Sequence, residues 1–82
     1  MKFKYIEKNP NICGGKPVFK GTRIPIHLVL DFLASGESIE SILENYPQLN
    51  KKAILEAIKY ASLLTKIEEE VIEITNWWKY TL

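Results

Sequence analysis

The sequence predicts a mainly α protein: a helix-turn-helix three-helix core with a short β segment before it and an amphipathic helix after it. Three observations lead there. Glycine and proline crowd residues 10–25 and afterwards occur only at Gly36 and Pro47. Between those two breaks, and again beyond Pro47, apolar residues recur at helical spacing. From Leu64 to Trp78 they recur at intervals of 3, 4, 3 and 4, the seam of a helix that lies along another helix.

Taken in order, "KFKYI" alternates Phe3 and Tyr5 with lysines, the period of a half-buried strand. Asn9-Pro10 is turn chemistry. Residues 12–26, "ICGGKPVFKGTRIPI", hold three glycines, two prolines, two lysines and an arginine. Gly14, Gly15 and Gly21 can take the positive φ that other residues avoid, and a small hairpin is expected between 18–19 and 23–24. Pro25 suits a first helical turn. Ile26, Val29, Leu30 and Leu33 then form one apolar face, and Gly36 ends that helix. Ser38 caps the next, with Ile39, Ile42, Leu43 and Tyr46 inward, and Pro47 stops it. Asn50 caps the third, where Ile54, Ala57, Ile58 and Ala61 are expected to point inward. Residues 1–64 thus read as one domain and 65–82 as a helical tail.

Composition gives an ordinary globular chain, 46% hydrophobic and 26% charged. No apolar run approaches the roughly 20 residues that cross a bilayer, and "MKFKYIEKNP" has no signal-like apolar block. A cytoplasmic protein is expected. The net charge of +1 hides alternating blocks. Residues 1–27 set Lys2, Lys4, Lys8, Lys16, Lys20 and Arg23 against Glu7 alone. Residues 28–50 carry Asp31, Glu37, Glu40 and Glu44 and no cation. Lys51, Lys52, Lys59 and Lys66 then face only Glu56, and Glu68, Glu69, Glu70 and Glu73 face only Lys79. Alternation of this kind builds separate basic and acidic surfaces, or simply a solvated exterior.

"SIESILENYP" and "NKKAILEAIKYASLL" satisfy the requirements of a helix-turn-helix: two short amphipathic helices and a brief connection. Ala57 and Ala61 are small enough for close approach. Asn50, Lys51 and Lys52 sit at the start of the second helix, where cations oppose the helix dipole by about 0.3–1 kcal/mol. A phosphate near the amide donors there would reverse that penalty. Lys59 extends the strip, and any three-helix mini-bundle would share the same outline.

Other chemistries find no support. "GKPVFKGT" has Lys20, Gly21 and Thr22 in the wrong order for a phosphate-binding loop. Cys13 and His27 make a poor nucleophile and base, since a lone cysteine among glycines is usually a filler. A single aspartate, Asp31, leaves no carboxylate cluster for metal-dependent hydrolysis. One cysteine excludes an internal disulfide or a paired-cysteine metal site. No catalytic residue, metal or cofactor is assigned.

Residues 9–64 resemble the small prokaryotic family catalogued as domain of unknown function four-three-three. The resemblance rests on an ungapped "P-x-I-C-G-G-K-P-x-x-x-G-T-R-I", followed by Gly-x-Ser, Tyr-Pro and Ala-x-x-Tyr-Ala elements. Members are described as helix-turn-helix proteins and VapB-type antitoxins, often encoded beside a PIN-like ribonuclease toxin. The resemblance therefore implies a type II antitoxin that neutralises a PIN-like toxin and binds its operator DNA as a homodimer. His27 stands where a carboxylate is often found, and the tail lies outside the motif.

The DNA contacts expected on this reading are Lys16, Lys20, Arg23, Asn50, Lys51, Lys52 and Lys59. Arg23, the lone arginine, is the side chain able to make a bidentate contact with guanine or phosphate. Residues 2–6 could pair across a two-fold axis. The toxin contacts expected in the tail are Ile67, Val71, Ile74, Trp77 and Trp78, since aromatic anchors dominate many interfaces. The same seam would equally serve packing within or between subunits. The alternative function is a protein-interaction module with a degenerate helix-turn-helix and no DNA binding.

Overall fold

A computed structural model describes residues 3–76, with side chains through Ile67. Besides a short 3-10 turn at Cys13–Gly15, five elements follow one another: β1 (Ile6–Glu7), β2 (Val18–Phe19), α1 (Ile26–Ala34), α2 (Ile39–Asn45) and α3 (Lys51–Asn76). The expected mainly α class, with its short N-terminal β segment, is what is observed.

The β segment is smaller than the alternation of residues 2–6 suggests. Among the described residues of that segment, only Ile6 and Glu7 are strand, antiparallel to Phe19 and Val18 respectively. Tyr5 keeps strand-like bonding on one side, since its carbonyl accepts the Lys20 N–H at 2.8 Å. The expected hairpin between 18–19 and 23–24 shrinks to a bridge between Val18 and Pro25 and one bond from Phe19 N–H to the Ile24 carbonyl. Thr22 shortens it: its hydroxyl donates to the Phe19 carbonyl at 2.7 Å and accepts the Ile24 N–H at 3.0 Å, closing a tight turn. Pro25 is the residue before α1 rather than within its first turn, extended at ψ 144°.

Between the strands the backbone makes an unusual excursion. Cys13, Gly14 and Gly15 all have positive φ, of 50°, 65° and 83°. Two glycines permit this at no steric expense, whereas Cys13 carries a left-handed penalty of about 1–2 kcal/mol. The Cys13 thiol donates to the Arg23 carbonyl at 3.4 Å, which ties the excursion to the second turn.

The helix ends follow their sequence signals. At the end of α1, Gly36 has φ 96°. The Gly36 N–H bonds to the Leu33 carbonyl and the Glu37 N–H to the Phe32 carbonyl, the paired bonds of a glycine-terminated helix. Ser38 Oγ accepts the Ser41 N–H at 3.1 Å, and Asn50 Oδ1 accepts the Ala53 N–H at 2.8 Å. Tyr46, before Pro47, closes α2.

Phe19, Val29, Ile42, Ile54 and Ala57 form the centre of the core, joined by Ile24, Ile26, Leu49 and Ala53. Two expectations for the third helix need correction. Ile58 does not point inward; it is 41% exposed, and Ala53 takes the inner position instead. The tail is also not a separate helix, because α3 runs without a break through residues 64–76. Nothing between Asn50 and Asn76 is a glycine or proline, so no residue interrupts the hydrogen-bond ladder.

Ile54→Ala should cost about 2–5 kcal/mol in urea unfolding, because it empties the buried centre. Asn50→Ala should cost about 1 kcal/mol through the lost cap, and Asn50→Asp should retain that stability.

Candidate nucleic-acid interface

The faces of α3 decide where charge can collect. Ala53, Ile54 and Ala57 are buried against the rest of the fold. Lys51, Lys52, Leu55, Ile58, Lys59, Ser62 and Lys66 are all exposed. Lys52, Lys59 and Lys66 are seven residues apart, so they drift by only about 20° per step and form one stripe. Leu55 stands between Lys52 and Lys59 at 48% exposure. Between residues 51 and 66 the single carboxylate is Glu56. Its Oε1 accepts the Tyr5 N–H at 2.7 Å, at the border between α3 and the N-terminal segment.

The start of α3 adds to this positive surface. Its first turn contains no acidic residue, so Lys51 and Lys52 reinforce the positive end of the helix dipole. The Asn50 oxygen accepts the Ala53 N–H, so the cap holds this side chain against the start of the helix.

Lys4, Lys8, Lys16, Lys20 and Arg23 are exposed but do not gather as one group. Lys20 is tied by its N–H to Tyr5, and Tyr5 by its N–H to Glu56. Glu56 neighbours Lys52 and Lys59 on the helix surface, at spacings of four and three, so the Lys20 turn borders the lysine stripe. Lys4, whose ammonium lies 5.4 Å from the Tyr5 ring, belongs to the same edge. Lys16 goes elsewhere. It borders a cleft with Tyr60, Ala61 and Leu64, beyond the first turn of α3 that carries Lys51 and Lys52. The described contacts of Arg23 join it to Cys13 and not to α3. Sequence spacing could not reveal this division, because Tyr5 is the link and its part is played by backbone atoms. Those same bonds use both polar groups of the Tyr5 backbone within the chain, which removes them from pairing across a two-fold axis.

The expected partner-binding positions are split by the limits of the structure. Ile67 is 58% exposed. Val71 and Ile74 lie on the α3 backbone beyond the described side chains, and Trp77 and Trp78 lie outside the described residues. Leu64, one step before Ile67 in the repeat, is 46% exposed. The cleft beside it has a volume of about 210 Å³ between the Lys16–Pro17 loop, His27 and Leu30 of α1, and Tyr60 and Leu64 of α3. Sequence reading missed this cleft because its walls come from three separate segments.

His27 and Asp31 pair on the surface at 3.5 Å, one helical turn apart. Among the described residues, no group of three or more His, Cys, Asp or Glu could hold a metal ion, and no helix is long and apolar enough to cross a membrane.

A family model for the protein of unknown function DUF433 matches residues 6–61. The chain belongs to the DUF433 family. The match runs from β1 into α3, so it includes Lys20, Lys52 and Lys59 and ends before Leu64. The chain is 41% identical over 56 residues to the uncharacterized protein y4eO of Sinorhizobium fredii. That alignment covers 68% of this chain but only 25% of y4eO, so this chain corresponds to about a quarter of that relative. It is also similar to the crystal structure of a DUF433 member protein from Anabaena variabilis, with a TM-score of 0.70 and 28% identity. That superposition covers 82% of this chain and 67% of the other.

Glu56→Ala should free the Tyr5 amide and loosen the segment that carries Lys4 and Lys20. Hydrogen exchange at Tyr5 should quicken while Ile54 stays protected, with a stability loss of about 1–2 kcal/mol; Glu56→Gln should restore most of the protection.

Proposed function

We propose that this chain is a non-enzymatic type II antitoxin, acting in the cytoplasm to neutralise a PIN-like ribonuclease toxin and, as a homodimer, to bind the operator DNA of its own promoter. The observation that carries the DNA-binding part is the outward face of α3 from residue 51 to 66. Four lysines stand there, and the single carboxylate, Glu56, is engaged by Tyr5. Leu55 and Ile58 are exposed among them, apolar surface of the kind that meets thymine methyl groups in a major groove. α2 and the turn at 46–50 brace this helix as the first helix of a helix-turn-helix braces the second. Phosphate contacts from Lys20, Lys51, Lys52 and Lys59 would supply most of the affinity, and Lys16 would contribute least.

Retention of the operon's promoter fragment, measured at several salt concentrations, tests this. Binding should weaken steeply with salt, and replacing both Lys52 and Lys59 by Ala should reduce the log–log slope by about 2. Salt-independent retention, or a slope unchanged by the double variant, contradicts the reading.

A second reading is favoured by the exposure of Leu64 and Ile67: a protein-interaction module in which DNA has no part. Growth rescue from the neighbouring toxin separates the two. On the second reading Leu64→Asp with Ile67→Asp abolishes rescue, and the lysine variant rescues normally while the promoter fragment is never retained.

A further inference from the structure

Two exposed apolar side chains of α3, Leu55 and Ile58, stand on its outward face, at 48% and 41% exposure. At about 100° per residue, Leu64 and Ile67 lie roughly 120–180° around the helix from Leu55. They belong to another surface. Leu55 occupies the crest of the outward face. Seen down the axis, Lys51 and Ile58 fall about 40° and 60° to one side of it, and Lys59 and Lys52 about 40° and 60° to the other. All four are exposed. Glu56 lies beyond the second pair, about 100° from Leu55, and its carboxylate accepts the Tyr5 N–H at 2.7 Å. An exposed leucine thus has a cation on each flank and no carboxylate on its own face.

This layout fits one kind of surface. A helix lying in a major groove meets phosphates along both walls and base edges at the floor. Lys51 would face one wall and Lys52 and Lys59 the other, with Leu55 over the floor between them. The Lys20 turn borders the Lys52–Lys59 flank and would add to that wall. A lipid surface is a poorer match, because two apolar residues do not make the broad apolar face that sinks among headgroups.

The side chains available to read bases are few. From 51 to 66 there is no arginine, asparagine or glutamine, the residues that read guanine and adenine bidentately. The Thr65 hydroxyl donates to the Ala61 carbonyl at 2.9 Å, within the helix. Ser62 and Lys66 share the crest, but about 10 and 16 Å farther from the helix start. Near that start the crest offers carbon, and the base-edge group that carbon recognises in a major groove is the 5-methyl of thymine.

We infer that Leu55 is the specificity-determining residue of this interface, recognising thymine through its 5-methyl group while the flanking lysines hold phosphate regardless of sequence. This rests on the DNA-binding part of the function proposed above and adds which residue reads the sequence and what it reads.

The test uses the full chain and two versions of the operon's promoter fragment, one natural and one with deoxyuridine in place of every thymidine. The exchange removes the methyl groups and keeps every Watson–Crick pair. The natural fragment should bind about fourfold more tightly for each thymine contacted, the worth of one buried methyl group. Leu55→Ala should bind both fragments equally, whereas Ile58→Ala should keep the preference of the unaltered chain. Both positions are exposed, so a thermal melt should show both variants folded. Equal affinity of the unaltered chain for the two fragments overturns the inference, as does a preference that survives Leu55→Ala. In either case, retention that still weakens with salt leaves the DNA-binding reading standing. Retention of neither fragment overturns both, as does binding of an acidic helical peptide in their place.

Discussion

Everything in this fold depends on how closely α1 and α2 can approach the beginning of α3. Ala53 and Ala57 present almost no side chain at that contact, and Ile54 fills the space between them. Interhelical distance follows the size of the residues at the crossing, so two alanines allow Val29 and Ile42 to reach the same centre. With the inner positions of α3 committed in this way, the charged residues of the segment have only the outer face left. The lysine stripe is thus a by-product of the core as much as a feature in its own right.

The N-terminal segment is held by a different kind of force. β1 is only two residues long, and a two-stranded sheet of that size has little stability alone. It persists because side chains brace its surroundings. Glu56 takes the Tyr5 N–H, Glu7 accepts the Gly21 N–H at 3.3 Å, and the Phe3 ring meets Tyr60. Carboxylates that count simply as negative charge in the sequence are here partners of backbone amides. The glycine-rich stretch accordingly builds two tight turns that place β2 under α1, with Phe19 delivered into the core.

Much of this was legible beforehand, and the failures have specific causes. Helix ends were readable because Ser38, Asn50, Gly36 and Pro47 each act locally, through a bond or a backbone angle set within four residues. Ile58 misled because it is apolar at a plausible spacing, while Ala53, the residue actually buried, is too small to register as a core position. Continuity between the third helix and the tail was obscured for a similar reason. The 3-4 spacing stands out from Leu64 onward, but its earlier members are alanines and a tyrosine, and only packing shows that they belong to the same series. Convergence of the N-terminal cations was beyond sequence reading altogether, since it depends on which backbone amide meets Glu56. The structure brings the Lys20 turn to the edge of the stripe and sets Lys16 beside the cleft lined by Tyr60, Ala61 and Leu64.

The unbroken course of α3 also sets a rule of phase. A rigid helix turns about 100° and advances 1.5 Å with every residue, so the direction of the far seam is locked to that of the lysines near its start. Adding one residue after Lys66 would swing the distal seam by more than a quarter-turn about the axis and leave the composition of both surfaces nearly unaltered. Adding seven would bring it back to within about 20°, some 10 Å farther out. Exchanges along this rod leave that angular relation intact, whereas small changes in its length do not.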